Sequence, residues 1–115
     1  MVGRIGDFII RGGKNISAAA VEEAAIAHPA ITAAAAVAMP DAVFGEKVCL
    51  YATLVTDATL TLDALTEFLL ANGVSKENYP ERLIILDELP LVSGGKVAKQ
   101  TLRDDIRQRL AAEDI

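Results

Sequence analysis

The chain has 115 residues, enough for one domain with one modest core. Its 11 basic residues against 16 acidic ones give a net charge of −5, which argues against general nucleic-acid binding, because neutralising a phosphate backbone needs clustered Lys and Arg. Apolar residues make up 52%, but 20 of them are alanine and only five residues are Phe or Tyr, so the core is expected to be thin and built by close approach of elements.

In chain order, "DFIIR" (Asp7 to Arg11) reads as a short strand and "RGGKN" as the turn after it, where Gly12 and Gly13 permit positive φ. Ser17 is a good N-cap for a helix that places Val21, Ala24, Ala25 and His28 on one face, with Glu22 and Glu23 opposite and Pro29 as the stop. "ITAAAAVA" (Ile31 to Ala38) is ambiguous. Alanine favours helix, yet the span between Pro29 and Pro40 is short for one, and a buried strand fits the length better. "MPDAVFGEK" is read as a turn opened by Pro40 and Asp41 and closed by Gly45. Val48 to Val55 is a strand, rich in branched and aromatic residues. Thr61 caps a helix presenting Leu62, Leu65, Phe68 and Leu69, which Asn72 and Gly73 end. "KENYPE" is loop, and Arg82 to Leu86 another strand. A last helix runs from about Lys99 to Ala112 with Leu102, Ile106 and Leu110 inward; Arg103, Arg107 and Arg109 face outward, where Asp104 and Asp105 can pair with them.

The order is hairpin, helix, strand, strand, helix, strand, helix. It predicts a single α+β domain over residues 1–115: a small three-stranded, mainly antiparallel sheet with helices packed on it, plus a short N-terminal hairpin. The single cysteine, Cys49, lies in an apolar run and is read as a small buried hydrophobe; a reducing, cytoplasmic compartment is the simpler assumption. One Cys and one His do not make a zinc site, so no metal is expected, and His28 is read as a helix-end or surface residue. No apolar stretch approaches the ~20 residues of a membrane span, and "MVGRIGDFII" lacks the order of a secretory signal. Its abrupt strand-like start looks like that of an excised fragment, although a short natural protein could look the same.

Three segments carry the chemistry: "GRIGDFIIRGGKNIS", "MPDAVFGEK" and "LPLVSGGKVAK". Each alone is weak. "SGGK" lacks the spacing of a phosphate loop, since Val97 follows the lysine, and on pattern alone Lys96 is a solvated loop lysine.

Together, in this order and at these separations, the three segments resemble the small C-terminal domain of the acyl-adenylate-forming (AMP-binding) superfamily. Acyl-CoA synthetases, firefly-type luciferases and the adenylation domains of peptide synthetases belong to it. The resemblance runs from Gly3 to about Arg109, and "IIRGGKNIS" is most similar to the fatty-acyl and aryl-CoA ligase branch. It implies an ATP-dependent acid–thiol ligase working in two steps. A carboxylate attacks the α-phosphate of ATP, supplied with Mg2+, to give acyl-AMP and pyrophosphate. The thiol of coenzyme A then attacks the acyl carbon and expels AMP. The small domain serves the steps in two orientations, one face supplying a lysine, the other helping to form the thiol tunnel.

The resemblance assigns the adenylation lysine to Lys96, carried between Gly94, Gly95 and Val97. A cation where carboxylate and triphosphate meet offsets their repulsion, and such a contact is worth about 3–4 kcal/mol by analogy with an oxyanion donor. Lysine, a compact charge on a flexible stem, suits the task. Lys99 is expected on the following helix as a surface residue. Arg4 corresponds to an arginine near the nucleotide, and Gly6 to the hinge. Gly12 and Gly13 correspond to the loop against pantetheine, with Lys14 as a cationic edge for CoA phosphates. Glu22 is expected to serve the helix dipole. Three positions depart from the usual pattern: Gly6, where Asp or Lys is common; Gly94, where Thr is; and Asn78, where many relatives are basic.

The phosphate loop, adenine site and acyl pocket of such enzymes lie in a large N-terminal domain that these 115 residues do not include. The chain alone is therefore expected neither to form acyl-AMP nor to hold ATP or CoA tightly. Its expected partners are that domain, a carboxylic acid, ATP and CoA. A stand-alone, non-catalytic module that binds a partner or nucleotide is the alternative, and an unrelated interaction domain a third. A fold that puts Lys96 and the Gly12–Gly13 turn on different exposed faces counts against the third.

Overall fold

The structure is a computed structural model and describes residues 8–43, 45–91, 95 and 97–113. The elements follow the expected order. Strands β1 (Phe8–Arg11) and β2 (Lys14–Ser17) form the hairpin, followed by α1 (Ala18–Ile26), β3 (Ile31–Asp41), β4 (Gly45–Leu54), α2 (Leu62–Ala71), β5 (Arg82–Ile85) and α3 (Lys99–Glu113). One 3-10 turn, Lys76–Asn78, lies in the segment read as loop.

Strand β4 organises the sheet. It pairs antiparallel with β3 from Asp41↔Gly45 to Ile31↔Leu54 and parallel with β5 from Cys49↔Arg82 to Ala52↔Ile85. The hairpin joins the same sheet through Arg11↔Gly45, giving five strands among the described residues. The three-stranded antiparallel-dominated core and its hairpin are thus continuous.

The pleat of β4 divides the core in two. Val48, Leu50 and Ala52 face one side, where Ile9, Ile16, Val21, Ala25, Leu65 and Leu69 pack under α1 and α2. Cys49 and Tyr51 face the other, with Leu89, Leu102 and Ile106 beneath α3. Residues Val48–Thr53 are all buried, as expected of a strand covered on both faces.

The alanine-rich segment is a strand because both its faces are needed: Ala36 belongs to the α1 side, Ala35 and Val37 to the α3 side. Tertiary burial overrides alanine's helical preference. A register shift between Ile31 and Ala33 changes the parity of the pleat, so Ile31 packs on the same side as Ala36.

The expected turn at "MPDAVFGEK" needs correction at its start. Met39, Pro40 and Asp41 continue β3, paired with Lys47, Glu46 and Gly45. The proline is tolerated because β3 ends the strand order, and an edge strand can spare an N–H. Gly45, at φ 82°, turns the chain into β4. Phe44 lies outside the described residues.

Helix α1 is capped by Ser17, whose Oγ accepts from Ala20 N, and α2 by Thr61, whose hydroxyl accepts from Ala64 N at 3.1 Å. Helix α1 ends at Ile26, before His28, whose Nδ1 accepts from Ala30 N at 3.0 Å while the ring meets Phe68 edge-on. Cys49 is fully buried, and burial pushes its thiol up to about 12. Helix α3 is fastened to the sheet by Asp105, whose Oδ2 accepts from both Tyr51 Oη and Arg109 Nε at 2.6 Å, and by the ion pair of Arg82 with Glu113.

Candidate functional site

Two segments matter, and each is built differently. The first is the hairpin turn. Gly12 (φ 59°) and Gly13 (φ 85°) both take the left-handed region, and the register Arg11↔Lys14 makes them a two-residue turn of the type that requires it. A Cβ built on Gly13 meets nothing within 4 Å, so the tip of the turn is open to an approaching molecule.

What lies beneath the turn is not open. Arg11, with a side chain only 17% exposed, pairs with Glu81 and donates to the Glu77 carbonyl at 3.0 Å. The other oxygen of Glu81 accepts from Val48 N at 2.8 Å, so this carboxylate links the turn to the central strand. Lys14, two-thirds exposed, pairs with Glu77 at 3.2 Å. Its charge is at the surface, as a cationic edge requires, but it is shared with a carboxylate. Sequence reasoning missed the Arg11–Glu81 tie. The one local signal was a charged residue in a short strand immediately before two glycines.

The second segment is the loop between β5 and α3. Leu91 and Val97 form an antiparallel bridge, and Ala98 N donates to Pro90 O at 2.8 Å, so the chain leaves and returns at one place. Gly95 has φ 81° with open space where a Cβ would stand. Lys96 and Gly94 lie outside the described residues, as do Arg4 and Gly6.

Two expectations around this loop are corrected. Lys99 opens α3 as expected, but it is not a free surface lysine: its side chain is 20% exposed and its Nζ lies 2.7 Å from Glu22 Oε2. Glu22 stands in the middle of α1 rather than in its first turn, too far along to serve the dipole, whose effect is confined to the ends. Its carboxylate also accepts from Ala36 N at 2.8 Å, so it ties β3 to the start of α3.

The roots of the two segments pack on opposite sides of the sheet. Ile9 and Ile16 of the hairpin belong to the core under α1 and α2, whereas Leu89 and Val97, flanking the second loop, belong to the core under α3. Among the described residues no group of His, Cys, Asp and Glu could hold a metal ion, and no helix is long and apolar enough to cross a membrane.

Residues 20–96 match the family model described as the AMP-binding enzyme C-terminal domain. The chain is 39% identical over 114 residues to the medium-chain fatty-acid–CoA ligase of Escherichia coli (strain K12), covering 98% of this chain and 20% of that protein. It is 38% identical over 102 residues to the salicyl-AMP ligase / salicyl-S-ArCP synthetase of Mycobacterium tuberculosis, covering 89% of this chain and 18% of that one. Among solved structures, the acyl-CoA synthetase of Brucella canis superposes with a TM-score of 0.82 at 29% identity, over 95% of this chain and 20% of the other. The chain thus spans about a fifth of the length of the relatives it matches.

Proposed function

The chain belongs to the AMP-binding enzyme C-terminal domain family, and from that membership we propose that it is the mobile small domain of an ATP-dependent acyl-CoA synthetase. Residues 1–115 form this one domain, and its partner is a large N-terminal adenylating domain of the same polypeptide. The complete enzyme joins a carboxylic acid, of the fatty-acid class, to coenzyme A through acyl-AMP.

In the first step the acid's carboxylate oxygen attacks the α-phosphorus of ATP, the bond to the bridging oxygen breaks, and pyrophosphate leaves with its Mg2+. Lys96 contributes a cation where the anions converge, and the absence of side chains at Gly94 and Gly95 lets the backbone enter and leave a neighbouring cleft. Arg4 serves the nucleotide and Gly6 the hinge. In the second step the CoA thiol loses its proton, its sulfur attacks the acyl carbon, and AMP leaves. The Gly12–Gly13 turn borders the pantetheine path and Lys14 faces the CoA phosphates.

The observation that carries this reading is the placement of the two loop roots on opposite sides of one sheet. A domain serving two half-reactions in two orientations needs one functional loop on each side. The fatty-acid relative supports the acyl class and CoA as acceptor. The salicyl relative, named for both an adenylate and a carrier-bound thioester, favours a second reading, an aryl acid delivered to a carrier-protein thiol.

The test is a screen of the complete enzyme with ATP against octanoate, decanoate, salicylate and 2,3-dihydroxybenzoate, with CoA or a phosphopantetheinyl carrier protein as acceptor. Octanoyl- or decanoyl-CoA as the fastest product supports the proposal. Aryl thioesters on the carrier alone replace it with the second reading, and absence of any acid-dependent pyrophosphate release refutes both.

A further inference from the structure

The Gly12–Gly13 turn stands on a ribbon that packing grips only at its base. Ile9 and Ile16 sit in the core, and every residue between them is exposed except Arg11. Past that base the ribbon is held by polar contacts. Two of them run to β4: the pairing Arg11↔Gly45, and Ile10 N, which donates to Glu46 Oε1 at 2.7 Å.

A third contact is more firmly founded. Glu81, just before β5, is fixed twice to Val48: its N–H donates to Val48 O at 2.9 Å, and its Oε1 accepts from Val48 N at 2.8 Å. Val48 is fully buried, so water cannot replace the carboxylate on that N–H. An acidic side chain thus completes the ladder of the central strand, and its other oxygen receives Arg11. Arg11 also reaches the Glu77 carbonyl at 3.0 Å, so one planar guanidinium ties the ribbon to both ends of the 77–81 segment. The exposed pair of Lys14 with Glu77 adds little to this.

We propose that Arg11 is a positioning residue for thioester formation: by pairing with Glu81 it sets the angle of the ribbon's tip, and so the place of the Gly12–Gly13 turn on the thiol's path. This rests on the reading of that turn given above. Arg11 directly precedes Gly12, so a swing of its backbone is a swing of the turn. Loss of the ion pair leaves Ile9 and Ile16 in the core and Glu81 on Val48, so the tip moves and the base does not. A misplacement of about 1 Å at a reacting centre can cost up to a hundredfold in rate.

The experiment uses the complete enzyme, with the acid and the thiol acceptor that it turns over fastest in the screen above, and measures each half-reaction. Arg11→Met is expected to lower kcat for thioester formation from supplied acyl-adenylate about ten- to a hundredfold, with KM for the acceptor and the rate of adenylation changed less than about twofold. Glu81→Gln keeps an oxygen for Val48 N but loses the ion pair, and is expected to reproduce Arg11→Met; it carries the test if Arg11→Met fails to fold. Arg11→Lys, which keeps a charge for Glu81, is expected to recover part of the loss. Equal losses in both half-reactions, as a general loosening of the fold would give, overturn the proposal, and so does wild-type thioester formation in the variants. A raised KM for the acceptor at unchanged kcat also overturns it, because Arg11 would then be binding the acceptor itself. If Gly13→Leu also leaves thioester formation intact, the place of the turn on the thiol path falls together with the role of Arg11; if Gly13→Leu alone slows that step, only the role of Arg11 is lost.

Discussion

Tyr51, buried at the centre of β4, donates its hydroxyl proton to Asp105 of α3 across 2.6 Å. The phenol and Arg109 together hold the Asp105 carboxyl below its ordinary value, while burial and that same carboxylate push the Tyr51 phenol up. A carboxylate whose folded value is depressed stabilises the fold above its unfolded value, and that contribution is lost as pH falls through the folded value. Stability of the isolated domain is therefore expected to fall with pH below the ordinary carboxylate range, and Asp105→Asn to flatten that fall. Urea titrations across pH 2–6 (about this window brackets ordinary carboxylates) check it; identical slopes for the two proteins contradict it.

Tyr51→Phe removes one buried hydrogen bond but leaves Asp105 its contact with Arg109. A hydrogen bond to a charged group is worth about 1.5–3 kcal/mol, and the part-exposed carboxylate recovers some of it from water, so a loss of about 1–2 kcal/mol is expected by chemical denaturation. No loss at neutral pH would mean that the Tyr51 hydroxyl does not help to seat α3.

Lys96→Ala in the complete enzyme is expected to lower adenylation by about a hundred- to a thousandfold, in line with the removal of one preorganised charge-stabilising group. Thioester formation from supplied acyl-AMP is expected to continue. Equal damage to both steps would break the proposed assignment of Lys96 to adenylation alone.

Gly13→Leu is expected to slow the CoA step more than adenylation. The backbone at φ 85° costs a non-glycine residue about 1–2 kcal/mol whatever the space. Gly73→Leu at φ 74° incurs a similar strain after α2 and serves as the control. Unchanged CoA turnover in Gly13→Leu, or an equal loss in Gly73→Leu, removes the turn from the thiol path.

Cys49 is expected to resist iodoacetamide at pH 8 in the native domain, because its thiol is fully covered and pushed up to about 12. Labelling should begin only as urea unfolds the chain. Modification at the same rate with and without denaturant would contradict the buried placement.

The order of elements was legible in the sequence because most were announced locally: Ser17 and Thr61 as caps, branched and aromatic residues in β4, glycines at the turns. The left-handed glycines at positions 12 and 13 were legible for the same reason. The course of β3 through Pro40 was not, because a proline reads as a breaker until the strand is known to lie at an edge. Nor were the ties of Glu22 to Lys99 and of Arg11 to Glu81. Each joins residues far apart along the chain, and neither partner carries a local pattern that names the other. Arg4, Gly6, Gly94 and Lys96 rest on resemblance, since they lie outside the described residues.

The separation of the two loop roots by the thickness of the sheet has a temporal consequence. A stiff slab cannot turn its obverse and its reverse toward one neighbour at once. If each side serves one half-reaction, the slab must be flipped between them, and while the thiol is being admitted the lysine is withdrawn. Order of events would then follow from shape alone, with no separate latch to keep the steps apart.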